Sequence, residues 1–499
     1  MEKTVTSRVA DFFADLTLDQ VPAPVMQEAK NLLLDTLGCI IAASLTEIGP
    51  VVKAHADVFG RQPEASIPGV ANKLSALGAA YANGRFGNFL DLDETYPGGT
   101  VGGIHIGMGA VAAALALCEQ HKLDGRALLL SIIAGYETGG RVSDIGTQLI
   151  VKNDEIVGFP AIWGMALQIV YAAAGAAGSV LKLSSPLLQE TYALAGASGP
   201  STVGPLWASM MTLPNTKYTD SGLCTFAGMF AAMGAKLGST GPSPIFDGNR
   251  SIFHMTGMHN VHAERMLDGI GKQWSLENIT YKPWPTCRWH HQALTALARL
   301  RDAEKLEANE IESVVIETNT GLLSPRFRNQ NPPNLVARQF SFPHAAAMLL
   351  CRVPTGADWL NEKYANDDAI RSVRSKVTVE GHPRAATCAQ YFVRDQTRQM
   401  PSGVRVTARG RTYHAESDFA FGDPWDPATR WGFKELSEKF RSVSELPESR
   451  ATAIIESIRK LETLNDLEPL MAALRTSFTI GAPNVSDDRK VVHLHAKPA

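Results

Sequence analysis

Residues 83–121 read NGRFGNFLDLDETYPGGTVGGIHIGMGAVAAALALCEQH. The stretch begins with small and polar residues and ends in a long apolar Gly/Ala run. Such runs belong to helices that pack closely, because small side chains let helix axes approach. Between the two halves sit Asp91, Asp93, Glu94, Thr95 and His105. Charge is not buried among small apolar residues without a compensating partner. These groups therefore line a solvated cleft or bind something.

Working outward, the same Gly/Ala-rich helical pattern recurs throughout the first half. Residues 5–45 read as helical, with Pro22 and Pro24 at a helix start and Asp35 inside the run as a cap or ion-pair partner. Further helices are expected near 74–90, 104–120, 124–143, 160–183, 186–198 and 222–237. No convincing strand alternation occurs before residue 310. The pattern changes near residue 275. Ile311–Thr318, Lys376–Glu380 and Gly403–Ala408 are rich in β-branched residues. Arg409-Gly410 followed by RTYHAES reads as a hairpin, and helices fall near 290–303, 341–351 and 367–375. After GDPWDP (422–427) the chain turns helical again. The expected fold is mainly α with an α+β part: a large helical domain (1–275), a smaller α+β lid (276–421) and C-terminal helices (422–499) that rejoin the first domain.

Length and composition set bounds. A chain of 499 residues exceeds one simple core. A net charge of −3 gives no footprint for nucleic acid or an acidic membrane. Six scattered cysteines without a CxxC pair argue against a disulfide scaffold or a zinc site. The N-terminus lacks a secretory pattern, so a cytoplasmic location is expected. The apolar stretch Ala161–Val180 is long enough to span a membrane. It is dominated by Ala and Gly and interrupted by Gln168, so it reads as a core helix.

Four places carry chemistry. Asp91-x-Asp93 can hold a divalent cation but lacks the spacing of a calcium loop. Its alternatives are a carboxylate that exchanges protons with a substrate, with Thr95 as hydroxyl donor, or a plain acidic helix cap. His105 precedes a Gly/Ala helix whose N-terminal N–H groups can meet a carboxylate. Lys217, in LPNTKYTDSG, precedes another such helix and can pin an anion or act as a base of depressed pKa. YKPWPTCRWHH (281–291) places Lys282, Arg288, His290 and His291 at the domain junction, where ligand clefts form. Adjacent helical residues point about 100° apart, so one histidine at most faces the cleft. Walker, GxGxxG, HExxH and GxSxG motifs are missing from the sequence.

Taken together these segments resemble the MmgE/PrpD superfamily. LDLDETY with a downstream histidine is similar to its LDxDD-T motif, and KNLLLDTLGCIIAA to its opening helix. GYETGGR (135–141), TKYTDSG…GAKLGSTGP, KPWPTCRWHH, and FGDPWDP with FKELSEKF resemble further family elements in the same order. The resemblance implies dehydratase, decarboxylase or epimerase chemistry on small di- or tricarboxylates. It also implies a homodimer and no metal or organic cofactor. Asp91, Thr95, His105, Lys217 and His291 match the family's active-site positions; Lys282 and Arg288 are read as substrate-binding. Pro160 stands where a family histidine is common. The expected activity is that of a lyase, with an epimerase or a non-catalytic carboxylate binder as alternatives. Asp91 and His291 are the expected proton carriers, and Lys217 and His105 the expected source of positive potential.

Overall fold

The caps that the sequence offers are used. Asp124 accepts from the Ala127 N–H, Asp220 from the Leu223 N–H and Ser75 from the Gly78 N–H, each satisfying a backbone donor that a helix start leaves open. In the computed structural model, which describes residues 3–99, 103–146, 150–152, 155–158, 165–200, 204–256, 258, 260–385, 391–393 and 396–475, the first half forms ten helices. They are α1 (Val5–Asp15), α2 (Ala23–Ser44), α3 (Gly49–Val58), α4 (Ala76–Phe89), α5 (Gly107–Gln120), α6 (Gly125–Ser143), α7 (Met165–Val180), α8 (Ser185–Ser198), α9 (Gly204–Ser209) and α10 (Ser221–Lys236). Pro24 occupies the first turn of α2, where its missing N–H costs nothing.

α7 is central: α5, α6, α8 and α10 all pack on it, and α4 lies between α5 and α10. Glycine makes these approaches possible. A Cβ on Gly228 would stand 2.1 Å from the Val170 carbonyl, and one on Gly84 2.3 Å from the Thr225 hydroxyl. Among the described residues no single helix is long and apolar enough to cross a membrane. The candidate at Ala161–Val180 is seen from Met165 onward, and its side chains from Ala166 to Val180 lie almost entirely in the core.

One expectation needs correcting. A strand pair does precede residue 310: β1 (Ile150–Lys152) and β2 (Glu155–Gly158) run antiparallel. With three and four residues, these strands are too short to show a period of two.

The α+β part is built on a four-stranded sheet in the order β4-β3-β7-β8. β3 is Ile311–Thr318 and β4 is Val377–Gly381; they run parallel. A two-strand ribbon, β5 (Phe392–Val393) and β6 (Gln396–Thr397), lies apart. β7 (Ser402–Ala408) and β8 (Arg411–Ser417) form the expected hairpin. Its two turn residues, Arg409 and Gly410, both have positive φ, 54° and 67°, as a type I′ turn requires. The His291–Ala303 helix covers β7 and β8. The Phe433–Ser444 helix packs on α2. None of the five described cysteines forms a disulfide. Cys388, Pro160 and the tail from 476 lie outside the described residues.

Candidate active site

The chain leaves α4 through Asp91, whose φ of 54° is left-handed. Lys217 also has positive φ, 58°. Such conformations are costly for side chains other than Gly, Asn or Asp and concentrate where position matters more than comfort. From Asp91 the chain runs extended. Thr95 and Thr280 exchange both backbone hydrogen bonds, 2.8 and 2.9 Å. That bridge brings the 280s alongside the 90s and delivers Lys282 to Asp91. A second bridge, between Tyr96 and Ile104 (2.7 and 3.0 Å), folds the loop back and returns His105 to Asp93.

The result is a buried charged cluster. Lys282 Nζ donates to Asp91 Oδ1 at 2.8 Å, and Lys217 Nζ lies 3.3 Å from the same oxygen. Lys217 also donates to the Asn88 carbonyl at 2.8 Å. His105 Nδ1 is 2.8 Å from Asp93 Oδ2, and its Nε2 is 3.4 Å from Asp91 Oδ1. The Tyr218 ring stacks on His105, with Lys217 Nζ 5.1 Å from its centroid. All of these side chains are buried.

Burial alone would raise the Asp91 carboxyl, but Lys217, Lys282 and His105 together hold it well below the usual carboxylate range. Burial lowers the pKa of Lys217 against the opposing pull of Asp91 and Asp93. Burial likewise lowers His105, against Asp93, so the neutral imidazole is favoured. Hydrogen-bonded to Asp93 through Nδ1, it leaves Nε2 to exchange a proton. Asp91, fixed as an anion between two ammonium groups, is a poor base and a strong counter-ion.

Other groups hold this cluster in place. Lys439 Nζ, on the Phe433–Ser444 helix, donates to Asp35 at 2.6 Å and to the Leu92 carbonyl at 2.7 Å. Asp35 is thus an ion-pair partner. Arg85 pairs with Asp220 and donates to Asn215 at 3.3 Å, gripping the Lys217 loop from α4. Glu94 accepts from the Ile106 and Gly107 N–H groups at the start of α5 and takes the Tyr136 hydroxyl at 3.2 Å. Burial pushes its pKa up to about 8, with the Asp93 charge adding to the rise.

Of the residues singled out in the sequence, Asp91, His105, Lys217 and Lys282 come together. Thr95 lies in the same segment, but its hydroxyl is 2.6 Å from that of Thr280. His291 points its Nε2 at the Thr286 carbonyl, 3.2 Å away, and stacks on Trp284. His290 is bonded to the Thr286 hydroxyl at 2.6 Å. Arg288 is paired with Asp423 at 2.5 Å. Sequence reasoning gave Asp93 only a metal-holding role beside Asp91 and gave Asn88 and Tyr218 none. Asp93 and Tyr218 each flank a named residue closely, which was the available signal. Lys439 gave none.

Asp91, Asp93 and His105 offer three ligand atoms within 4.8 Å of one another, enough to hold a metal ion. The two ammonium groups on Asp91 compete for that place, so the donor set is a poor match for a divalent cation.

Residues 7–262 match the MmgE/PrpD N-terminal domain and residues 284–463 the MmgE/PrpD C-terminal domain. The chain is 24% identical over 497 residues to a cis-aconitate decarboxylase of Homo sapiens, covering 95% of each. It is 23% identical over 501 residues to a cis-aconitate decarboxylase-like protein of Aspergillus oryzae, covering 95% of this chain and 98% of the relative. A cis-aconitate decarboxylase of Aspergillus terreus is 23% identical over 495 residues, covering 94% and 96%.

Proposed function

We propose that this chain, which belongs to the MmgE/PrpD family, is a lyase that removes CO₂ or water from a small di- or tricarboxylate. The names of its relatives favour decarboxylation of a cis-aconitate-like acid. The observation that carries the reading is the pair of buried ammonium groups, Lys217 and Lys282, converging on Asp91 beside the Asp93–His105 pair. Losing CO₂ leaves an electron pair on carbon, which spreads into the neighbouring carboxylate or unsaturated system. Preorganised positive charge in a dry site stabilises that anion. A proton then goes to carbon from Lys217, whose ammonium burial makes a stronger acid, or from His105 once its Nε2 has taken up a proton. Asp91 and His291, the carriers expected from sequence, are less suited: one is held ionised, the other is turned to a backbone carbonyl.

The proposal includes a homodimer, to be checked by light scattering, and catalysis without metal or organic cofactor, to be checked by activity after EDTA treatment. It also keeps a helical domain at 1–275, a lid at 276–421 and C-terminal helices at 422–499. Incubation of citrate-, aconitate- and aspartate-like acids in D₂O, followed by NMR, separates the chemistries. Loss of CO₂ or water marks the lyase, and deuterium incorporation with inversion marks an epimerase. Binding without either outcome would leave only a carboxylate-binding protein.

A further inference from the structure

Arg326 lies in the turn between β3 and the Leu335–Gln339 helix and is 8% exposed. It reaches across to α9, where its guanidinium carbon stands 4.5 Å from the Trp207 ring centroid. Its Nη1 donates to the Ala208 carbonyl at 3.0 Å. Its Nε is buried with no hydrogen-bond partner, and among the described residues no carboxylate pairs with it. Burial pulls its pKa down to about 10; the Trp207 and Phe327 rings, 4.5 and 4.8 Å from the guanidinium carbon, face it where a carboxylate could. A buried cation without an anion is expensive, and structures keep one where something arrives to pair with it.

Its neighbours say where that anion would come from. Trp207 packs edge-on against Tyr218 at 5.6 Å, and Tyr218 carries Lys217 over its ring. Arg326, Lys282 and Asp91 all act electrostatically on the Cys287 thiol. Cys287 is partly exposed while the charged cluster around it is buried. Two other buried guanidiniums, Arg338 and Arg374, bind the carbonyls of Leu360 and Ala365, both within the α+β part. Arg326 instead bridges from the α+β part to the helices.

We propose that Arg326 is a specificity residue that binds a second, non-reacting carboxylate of the substrate, while the reacting end lies against Lys217 and Lys282. A guanidinium presents its Nε and Nη2 edge as a planar fork that matches a carboxylate side-on. The ligand class is therefore an acid with at least two carboxylates. This inference rests on the polycarboxylate reading above.

The test measures binding of tricarballylate, glutarate and butyrate by calorimetry to the full chain and to R326Q, R326K and K217M. R326Q is expected to lose at least ~10-fold in affinity for tricarballylate and glutarate but not for butyrate, as for one charge-assisted bidentate contact. R326K, which keeps charge without the fork, is expected to fall between. K217M is expected to weaken all three. The ligand-free melting temperature of R326Q is expected not to fall greatly, since the variant removes a buried charge that no carboxylate pairs with while keeping a polar group near the Ala208 carbonyl. If R326Q binds all three acids as the parent does, loses butyrate equally, or melts well below it, the Arg326 role is wrong. The polycarboxylate reading survives that result as long as K217M weakens binding. If the parent binds none of the three acids, both readings fall.

Discussion

Two sets of ion pairs with similar distances sit in different parts of the molecule. On the sheet, Arg384 reaches Glu416 at 2.8 Å and Asp418 at 2.7 Å, and Arg405 on β7 pairs with Glu317 on β3 and Glu380 on β4. Arg384 is 45% exposed and Arg405 38%. In the helical part, Lys282–Asp91, Lys217–Asp91 and Lys439–Asp35 are buried. Water screens the Arg384 pairs and Arg405–Glu380, so each of these adds little, whereas Glu317 is buried. The second set has given up its hydration, and the attraction regained seldom exceeds that loss. A chain that wanted only stability would do as well with apolar side chains there. What the buried set provides is position: two ammonium groups and an imidazole held at fixed distances around Asp91 and Asp93.

This contrast is open to attack by substitution, beginning with the change expected to do most harm. K439A leaves the Asp35 carboxylate buried alone and should cost about 3–5 kcal/mol in urea denaturation. The double variant D35N/K439M, which removes both charges, should recover most of that loss; if it does not, the pair is stabilising in its own right. K217A should lower turnover at least ~10²-fold, as expected for losing one preorganised charge; near-normal rates would sink the site assignment.

A smaller effect is expected from pH. The Glu94 carboxyl titrates near 8 in the fold against an ordinary value of 4.5. The native state therefore holds a proton that the unfolded chain has lost, and stability should fall as pH rises from about 4.5 towards 8. The slope attributable to Glu94 is about 1.4 kcal/mol per pH unit at most. Glu137, raised to about 7, adds to it at lower pH. Melting E94Q beside the parent between pH 7 and 8 should flatten the slope. The smallest change belongs to the exposed pairs beside the sheet: R384Q should shift stability by no more than ~1 kcal/mol, and less in high salt.

The outline of this molecule was legible because it is local. Ile311–Thr318 shows its β-branched residues, and Arg409-Gly410 announces its turn. Helix starts at Asp124 and Asp220 follow from the side chains that cap them. Part of the cluster was legible too, since acidic residues and a histidine within 83–121 have few ways to be buried apart. What failed to show was direction and distant partnership. His290 and His291 are equivalent as letters; only the path of the 286–291 turn aims both at Thr286. Thr95 reads as a free hydroxyl until Thr280 lies beside it. Arg326 looks like one surface arginine among many, because the tryptophan it covers is over a hundred residues away.

The Lys439 bridge has a consequence for how the protein is made. The ammonium that steadies Asp35 and the Leu92 carbonyl is supplied 404 positions after the aspartate. A nascent polypeptide can therefore shape its helices early but must leave that loop untethered until residue 439 has been made. Prematurely terminated products that stop short of residue 439 would carry Lys217 and Lys282 without the strut that holds the loop they meet.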